Sequence, residues 1–541
     1  MFARKLTVVV SLALAILTAA GGTASARPRG DQPASGKPTP AELRLREYQK
    51  PFLDPRADNG EYVAPPSSDP HAGHHGQESA TTSTDATAMP PESGGRWDYL
   101  PSLPSDFNAV HVVASPTGKI LLVAGSGNNK VNFEAGSFTS YIWDPVTNER
   151  RMIPTPEDLF CAGHVLLPDG RALVGGGTSA YGPFLGSTAM YAFDFETEVY
   201  EPVTRLQVGR WYPSVITGPD GRQLFVGGFD ETGKKTNIAE IYDPVADTTT
   251  TLPARRTFPN YPRIHLAANG KYFQATTATP GFWDPFASTY QKVGGGTAAA
   301  PNAMASCFVG DVRDQNLMVM GGGWPATNTT RIIDLDAPQP TFRPGPTLGA
   351  AKAYLSCVNL PDGTLFEANG GSDNRVAAAS PEAAILQNHT SAWTPAAPLP
   401  AGEHRLYHSL LFLLDNGQVI SMSSNPQGGT SRSRSLLVYS PPYLFTGQRP
   451  IVTQAPVEVA YGGTYPVAAT ATGGTVDRMT VTSAPSPTHS MDSNQRYLSL
   501  PVVNGQIAIP TSRTILPPGW YRLWAVDSLG RPSVAHWIHL T

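Results

Sequence analysis

A short motif recurs seven times between residues 107 and 446, and its spacing restricts the fold more than any other feature. Each unit is an apolar run, a tight turn, a second apolar run and often a glycine pair. Two examples are Leu167-Pro-Asp-Gly-Arg-Ala-Leu-Val-Gly-Gly-Gly177 and Gly218-Pro-Asp-Gly-Arg-Gln-Leu-Phe-Val-Gly-Gly228. The turn glycines are Gly118, Gly170, Gly221, Gly270, Gly363 and Gly417, and a degenerate turn at Asp314-Gln315 fills the one double-length gap. Successive turns are then 52, 51, 49, 45, 48 and 54 residues apart. A later strand recurs as Tyr141-Ile-Trp-Asp-Pro145, Ile241-Tyr-Asp-Pro244, Gly281-Phe-Trp-Asp-Pro285 and Val438-Tyr-Ser-Pro441. Four-stranded repeats of about fifty residues are the kelch pattern of a β-propeller, so seven units predict seven blades. Trp97…Leu103-Pro104 precedes the first repeat as Trp393…Leu399-Pro400 precedes the seventh. The segment around Trp97 is therefore expected as the outer strand of the seventh blade, closing the ring and removing its exposed edges.

Composition agrees with an all-β chain. Gly 52 and Pro 52 make roughly a fifth of the 541 residues, against an ordinary share of about 12%, and no segment sustains a 3.6-residue apolar period. Charged residues are 15% of the chain, with a net charge of −4. This balance offers no electrostatic basis for binding nucleic acid or anionic lipid. Residues 1–26 read as a signal peptide: Arg4-Lys5, an apolar run from Leu6 to Ala20, and the small-residue site Ala24-Ser25-Ala26. They predict a secreted protein with no membrane span after cleavage, or one retained at the cell envelope if the segment stays. Residues 27–95 read as a flexible Pro/Ser/Gly/His linker, with a short helix near Ala41–Tyr48 and a His71-Ala-Gly-His74-His75 cluster that is open to loose metal binding, with a solvated polar stretch as the plainer reading. Residues 96–446 form the propeller. Residues 447–541, with short alternating strands such as Gly519-Trp-Tyr-Arg-Leu-Trp-Ala525, form an Ig-like (early-set) β-sandwich.

The innermost strand of each blade lines the propeller axis. Nine residues before each turn glycine stand Ala109, Cys161, Tyr212, Tyr261, Tyr354 and His408, with Cys307 or its neighbour in the degenerate repeat. Valine, leucine and isoleucine would normally fill such a core, so a ring of cysteine, tyrosine and histidine points equally to a water-bonded plug and to a metal or redox site. Three cysteines are too few for a disulfide scaffold. Cys307 and Cys357 fall in neighbouring repeats at registers two or three residues apart. Two buried thiols are expected there, since a disulfide needs Cα atoms within about 7 Å.

Four stretches resemble the galactose oxidase and glyoxal oxidase family of copper-radical oxidases. They are Phe160-Cys161-Ala-Gly, Arg210-Trp-Tyr212-Pro-Ser, Arg405-Leu-Tyr407-His408-Ser, and Thr488-His489-Ser490 followed by Asn494-Gln-Arg. The Ser440-Pro-Pro-Tyr-Leu-Phe445 linker and the Pro517-Pro-Gly-Trp-Tyr ending extend the match, which runs from about Trp97 to the C-terminus. The resemblance implies one copper per chain, bound by Tyr212, Tyr407, His408 and His489. It also implies a thioether between Cys161 and the Tyr212 ring, forming a Tyr–Cys redox cofactor that holds a radical. Imidazole and phenolate suit Cu(II) in a tetragonal field, and an open position would admit substrate. An alcohol loses two electrons; copper would take one and the Tyr–Cys group the other, with O₂ reduced to hydrogen peroxide that a peroxide-using partner enzyme could consume. His489 lies beyond the repeats, so the C-terminal domain must reach into the axis. Tyr407 and His408 are adjacent, and adjacent strand residues face opposite ways. Both can ligate only at a strand end or a distortion.

Departures from the family bear on substrate. Where galactose oxidase carries a stacking tryptophan two residues after a glycine pair, this chain has Phe229-Asp230 after Gly227-Gly228. The family's N-terminal sugar-binding domain is replaced by the linker, and Trp211 beside Tyr212 is closer to the glyoxal oxidase-like branch. Small aldehydes or primary alcohols are the expected substrates. The alternative is a non-catalytic kelch propeller that binds carbohydrate or protein, with no metal and an unmodified Cys161. A sialidase-like hydrolase would carry Ser-x-Asp-x-Gly boxes, and none occurs.

Overall fold

A computed structural model describes residues 89–104, 107–296, 303–426 and 432–541. The signal-peptide segment, most of the linker, the short helix near Ala41–Tyr48 and the His71–His75 cluster lie outside the described residues.

Among the described residues the repeats fold as seven four-stranded antiparallel sheets. The first runs through His111–Ala114, Ile120–Gly125, Thr139–Trp143 and Arg150–Pro154, and the third through Trp211–Thr217, Gln223–Phe229, Ile238–Asp243 and Thr248–Arg255. Residue chemistry sets both hairpin turns of each unit. The turn glycines adopt left-handed φ, for example 90° at Gly170 and 96° at Gly363, which a Cβ would disfavour. Gln315 takes this place in the fifth unit at φ 50°. In the first five sheets a recurrent Asp at the end of the third strand caps the next turn: Asp144 Oδ1 accepts from the N–H of Val146 at 2.8 Å, and Asp243 Oδ1 from that of Val245 at 2.9 Å.

The seventh sheet consists of Leu410–Leu413, Val419–Met422 and Leu436–Ser440, completed by Arg96–Leu100 from the start of the repeats. Trp97 pairs with Tyr439, as the repeated Trp…Leu-Pro spacing anticipates. Apolar clusters join each sheet to the next. Val113 and Val174 pack together between the first and second sheets, and Phe412 packs with Val112 between the seventh and the first. The sheets thus follow one another in a propeller-like succession whose last member meets its first. The C-terminal segment adds a five-stranded sheet of Glu458–Val459, His536–Leu540, Gly519–Asp527, Val476–Ser483 and Tyr497–Pro501, with two short two-stranded sheets. Leu523 and Ile538 of this segment share a core with Phe273 and Phe308 of the fourth and fifth sheets.

Two expectations are corrected. In the fifth sheet, Ala303 and not Cys307 occupies the ring position: it has left-handed φ 58° and accepts the N–H of Tyr354 at 3.0 Å. Cys307 and Cys357 are joined in a disulfide with Cα atoms 6.5 Å apart, not held as thiols. Both corrections have one cause. The Val309–Asn316 pair closes a longer turn than the Leu360–Thr364 pair, so counting back from the turn misplaces the fifth inner strand. Counted from those closing pairs, the two cysteines differ in register by a single residue.

Candidate metal centre

The ring positions are kinked. Cys161, Tyr212, Tyr261, Tyr354 and His408 have φ of 57°, 70°, 42°, 60° and 64°, all left-handed and none glycine. Such residues persist only where their surroundings hold them, and here main-chain bonds pass from sheet to sheet. The N–H of Tyr212 donates to Cys161 O at 3.0 Å, and that of Tyr261 to Tyr212 O at 3.1 Å. Behind Tyr212, the motif arginine Arg210 is fully buried and paired with Glu240 at 2.6 Å, while its carbonyl accepts the N–H of Gly177. The kink at His408 also meets the geometric demand on Tyr407 and His408. It breaks strand alternation just before Leu410–Leu413, and the two rings stack with centroids 3.9 Å apart.

Side chains from four separate stretches meet on the axis. Cys161 Sγ lies 3.9 Å from His408 Nε2 and 3.7 Å from His489 Nε2. These donor atoms form the one group of three or more His, Cys, Asp or Glu side chains among the described residues with a metal-binding spacing. The phenol oxygens of Tyr212 and Tyr407 are hydrogen-bonded to each other, and Tyr212 sits in one cluster with Cys161, Tyr261 and Trp211. All five sequence-predicted site residues are therefore brought together, His489 by the loop of the C-terminal segment.

The imidazoles are oriented from behind. Thr488 Oγ1 donates to Val110 O at 2.7 Å, so it must accept at 2.5 Å from His489 Nδ1–H. That leaves Nε2 with its lone pair toward Cys161. Asn425 lies 3.5 Å from His408 Nδ1, and its Oδ1 is buried without a partner. Turning that amide over would give Oδ1 the Nδ1–H and free the Nε2 lone pair in the same way. Burial pushes the pKa of both histidines well below 6.5, with His408 acting further on His489 and Arg432 on His408. Both are neutral and able to ligate. Burial likewise raises the Cys161 thiol and the phenols of Tyr212, Tyr261 and Tyr407, so these keep their protons unless a cation displaces them.

Sequence reasoning passed over several supporting groups. Arg263 is buried and donates to Tyr261 O at 2.9 Å and His489 O at 2.8 Å, tying the C-terminal loop to the ring. Its signal was a charged residue two positions after a ring tyrosine, just before the strand Ile264–Leu266. Asp158 Oδ1 accepts from Ser126 N at 2.7 Å and Phe160 N at 3.1 Å, anchoring the turn that presents Cys161. Phe229 lies against Trp211 at 5.7 Å, and Phe184 stacks on the same indole at 4.5 Å. No helix among the described residues is long and apolar enough to cross a membrane.

Comparison with known proteins follows the same lines. Residues 449–540 match the family described as galactose oxidase-like, early set domain. The chain is 25% identical over 511 residues to a galactose oxidase of Gibberella zeae, covering 83% of this chain and 71% of that protein. It is 28% identical over 461 residues to the aldehyde oxidase GLOX of Vitis pseudoreticulata, covering 74% and 85%. Its fold is that of a solved fungal alcohol oxidase of the AA5 family in complex with copper, with a TM-score of 0.72 at 21% identity over 83% of this chain and 99% of that one. The chain thus carries a galactose oxidase-like early set domain and is similar over most of its length to galactose oxidase and aldehyde oxidase, the group its motifs resemble.

Proposed function

We propose that this protein is a secreted copper-radical oxidase that oxidises small aldehydes or primary alcohols with O₂ and releases hydrogen peroxide. In this reading residues 1–26 are a signal peptide, 27–95 a linker, 96–446 a seven-bladed kelch-type propeller and 447–541 an early-set sandwich. The observation that carries the proposal is the meeting of Cys161, Tyr212, Tyr407, His408 and His489 at one point on the axis. The donor set fits copper: two neutral imidazoles present Nε2, two phenols touch beside them, and no carboxylate belongs to the group. Tyr212, Tyr407, His408 and His489 would hold the ion. Copper, when bound, supplies one-electron redox exchange and acidifies the groups that ligate it.

The chain's own residues then have distinct tasks. Cys161 and Tyr212, linked through sulfur and ring carbon, hold the second oxidising equivalent that a two-electron oxidation requires. Tyr407 is half-buried beside the Tyr212 hydroxyl and accepts the proton of the substrate hydroxyl. An alcohol gives up two electrons and two protons to become an aldehyde, and an aldehyde reacts in the same way as its hydrate. O₂ takes both pairs as hydrogen peroxide. The closely packed rings of Phe184, Trp211 and Tyr212 exclude water from the linked pair. The test is to load purified protein with copper and follow O₂ uptake and peroxide with small aldehydes and primary alcohols. Fully loaded protein that makes no peroxide from any of them would leave the non-catalytic propeller as the better reading.

A further inference from the structure

Between the propeller sheets and the C-terminal segment lies a buried cation that the proposed chemistry does not use. Arg496, in the loop that follows His489, is 3% exposed. Its Nη2 donates to Leu266 O at 3.2 Å, and its guanidinium lies 5.6 Å from the Phe308 ring centre. Nη1 is buried without a partner. Among the described residues the charge that acts on Arg496 is that of the Tyr521 phenol, which burial keeps protonated. A buried guanidinium with an open donor and no carboxylate beside it is costly unless another charge offsets it.

Arg496 lines a cavity of about 40 Å³ at the end of the strand Trp211–Thr217, more than the roughly 10–15 Å³ that one water needs. Ser483 and Trp520 line it too, and Ser483 Oγ and Trp520 Nε1 are also buried without partners. No carboxylate stands among its described lining residues. Asp492 lines a smaller cavity of about 20 Å³ that shares Ser483 and Arg496. Both of its oxygens are taken by Ser486 and Asn494 of its own loop, and the charge that acts on it is that of Arg522.

We infer that the larger cavity binds a chloride ion, held by Arg496 together with Ser483 and Trp520. Guanidinium and indole N–H groups only donate, and a hydroxyl can turn to do so, so the three suit an anion. One monovalent ion offsets one guanidinium. Water would satisfy the donors but leave the charge uncompensated. The ion would join Arg496 to the strands Val476–Ser483 and Gly519–Asp527, bracing the loop that carries His489. The site does not depend on the copper reading.

The experiment measures Tm of the copper-free full chain against chloride at constant ionic strength, with a bulky sulfonate as the replacing anion. A ligand that binds the native state raises Tm as it fills its site. Wild type should gain with chloride and level off, and Arg496→Gln should lose that response. No gain in wild type, or the same gain in Arg496→Gln, overturns the inference. Should Arg496→Gln fail to fold, anomalous diffraction from wild-type crystals grown with bromide in place of chloride decides. A bromide peak beside the Arg496 guanidinium supports the site. Water there, or peaks on the protein surface alone from an adventitious ion only, overturns it.

Discussion

The main-chain N–H of Tyr212 donates to the carbonyl of Cys161 at 3.0 Å, so these two residues are registered through their backbones before their side chains react. Copper and O₂ should therefore form the thioether without rearrangement of either strand. Peptide mapping should find Cys161 and Tyr212 joined, with one hydrogen lost from each, and Cys161→Ala should abolish the species. A free thiol at Cys161 in fully loaded, active enzyme is the outcome that sinks this assignment.

Tyr407→Phe should separate proton transfer from metal binding. It leaves both imidazoles and Tyr212 in place, so copper and the cross-link should be retained while turnover falls by roughly 10²–10⁴, the usual worth of a positioned acid–base group. His408→Gln and His489→Gln should instead lose copper. Metal analysis beside peroxide production distinguishes the two classes, and near-normal turnover in Tyr407→Phe would remove the residue's assigned role.

Thr488→Val deletes the hydroxyl that both anchors to Val110 and receives His489 Nδ1–H. Loss of such an orienting partner typically weakens metal binding about 10–100-fold. Chelator competition should show that loss with thermal stability little changed. Thr488→Ser, which restores the hydroxyl, should recover most of the affinity.

The Cys307–Cys357 disulfide spans 50 residues and ties the inner strands of the fifth and sixth sheets. Gln495, in the loop that follows His489, donates to Cys357 O at 3.1 Å beside it. Its removal in Cys357→Ser should cost roughly 2–4 kcal/mol in denaturant unfolding. Titration of denatured, unreduced, copper-free protein should find Cys161 as the single thiol; finding three would contradict the bridge.

His265 bonds Ser306 Oγ at 2.8 Å, and burial pushes its pKa down to about 3, with Arg496 and Arg263 adding to the shift. Because its folded pKa is depressed, the unfolded chain binds a proton below about 6.5 that the native chain refuses, so stability falls with pH across that window. Relative to His265→Gln, copper-free wild type should lose about 1.4 kcal/mol per pH unit between roughly pH 6 and pH 4. Urea midpoints at several pH values test this, and a pH-independent difference would mean that His265 is charged in the native state.

Much of this was legible in the chain. Gly118, Gly170 and their equivalents mark turns because only a left-handed residue closes them, and a four-stranded unit between such turns follows from period-two apolar runs. Trp97 announced its pairing with the seventh sheet through a repeated local spacing. The site residues were legible as motifs, since Cys161, Tyr212 and His408 stand at one register of the repeat and Tyr407 beside it. Cys307 was misplaced where the turn lengthened, because counting along a chain assumes equal loops. Arg263, Thr488 and Asn425 carried weaker signals, as a hydrogen-bonding role is not written in residue type alone.

The sequence by itself determined the number and order of the repeating units and which side chains could meet on their axis, because turn chemistry and strand alternation are local. Only the tertiary structure decided that Cys161, Tyr407, His408 and His489 do meet. His489 reaches Cys161 across 328 residues through a loop held by Val110, Tyr261 and Arg263. The neighbours of Tyr407 and His408 depend on a left-handed kink that the surrounding sheets impose. The Cys307–Cys357 bond also belongs to the tertiary structure, since burial and separation are properties of packed strands and not of any one of them.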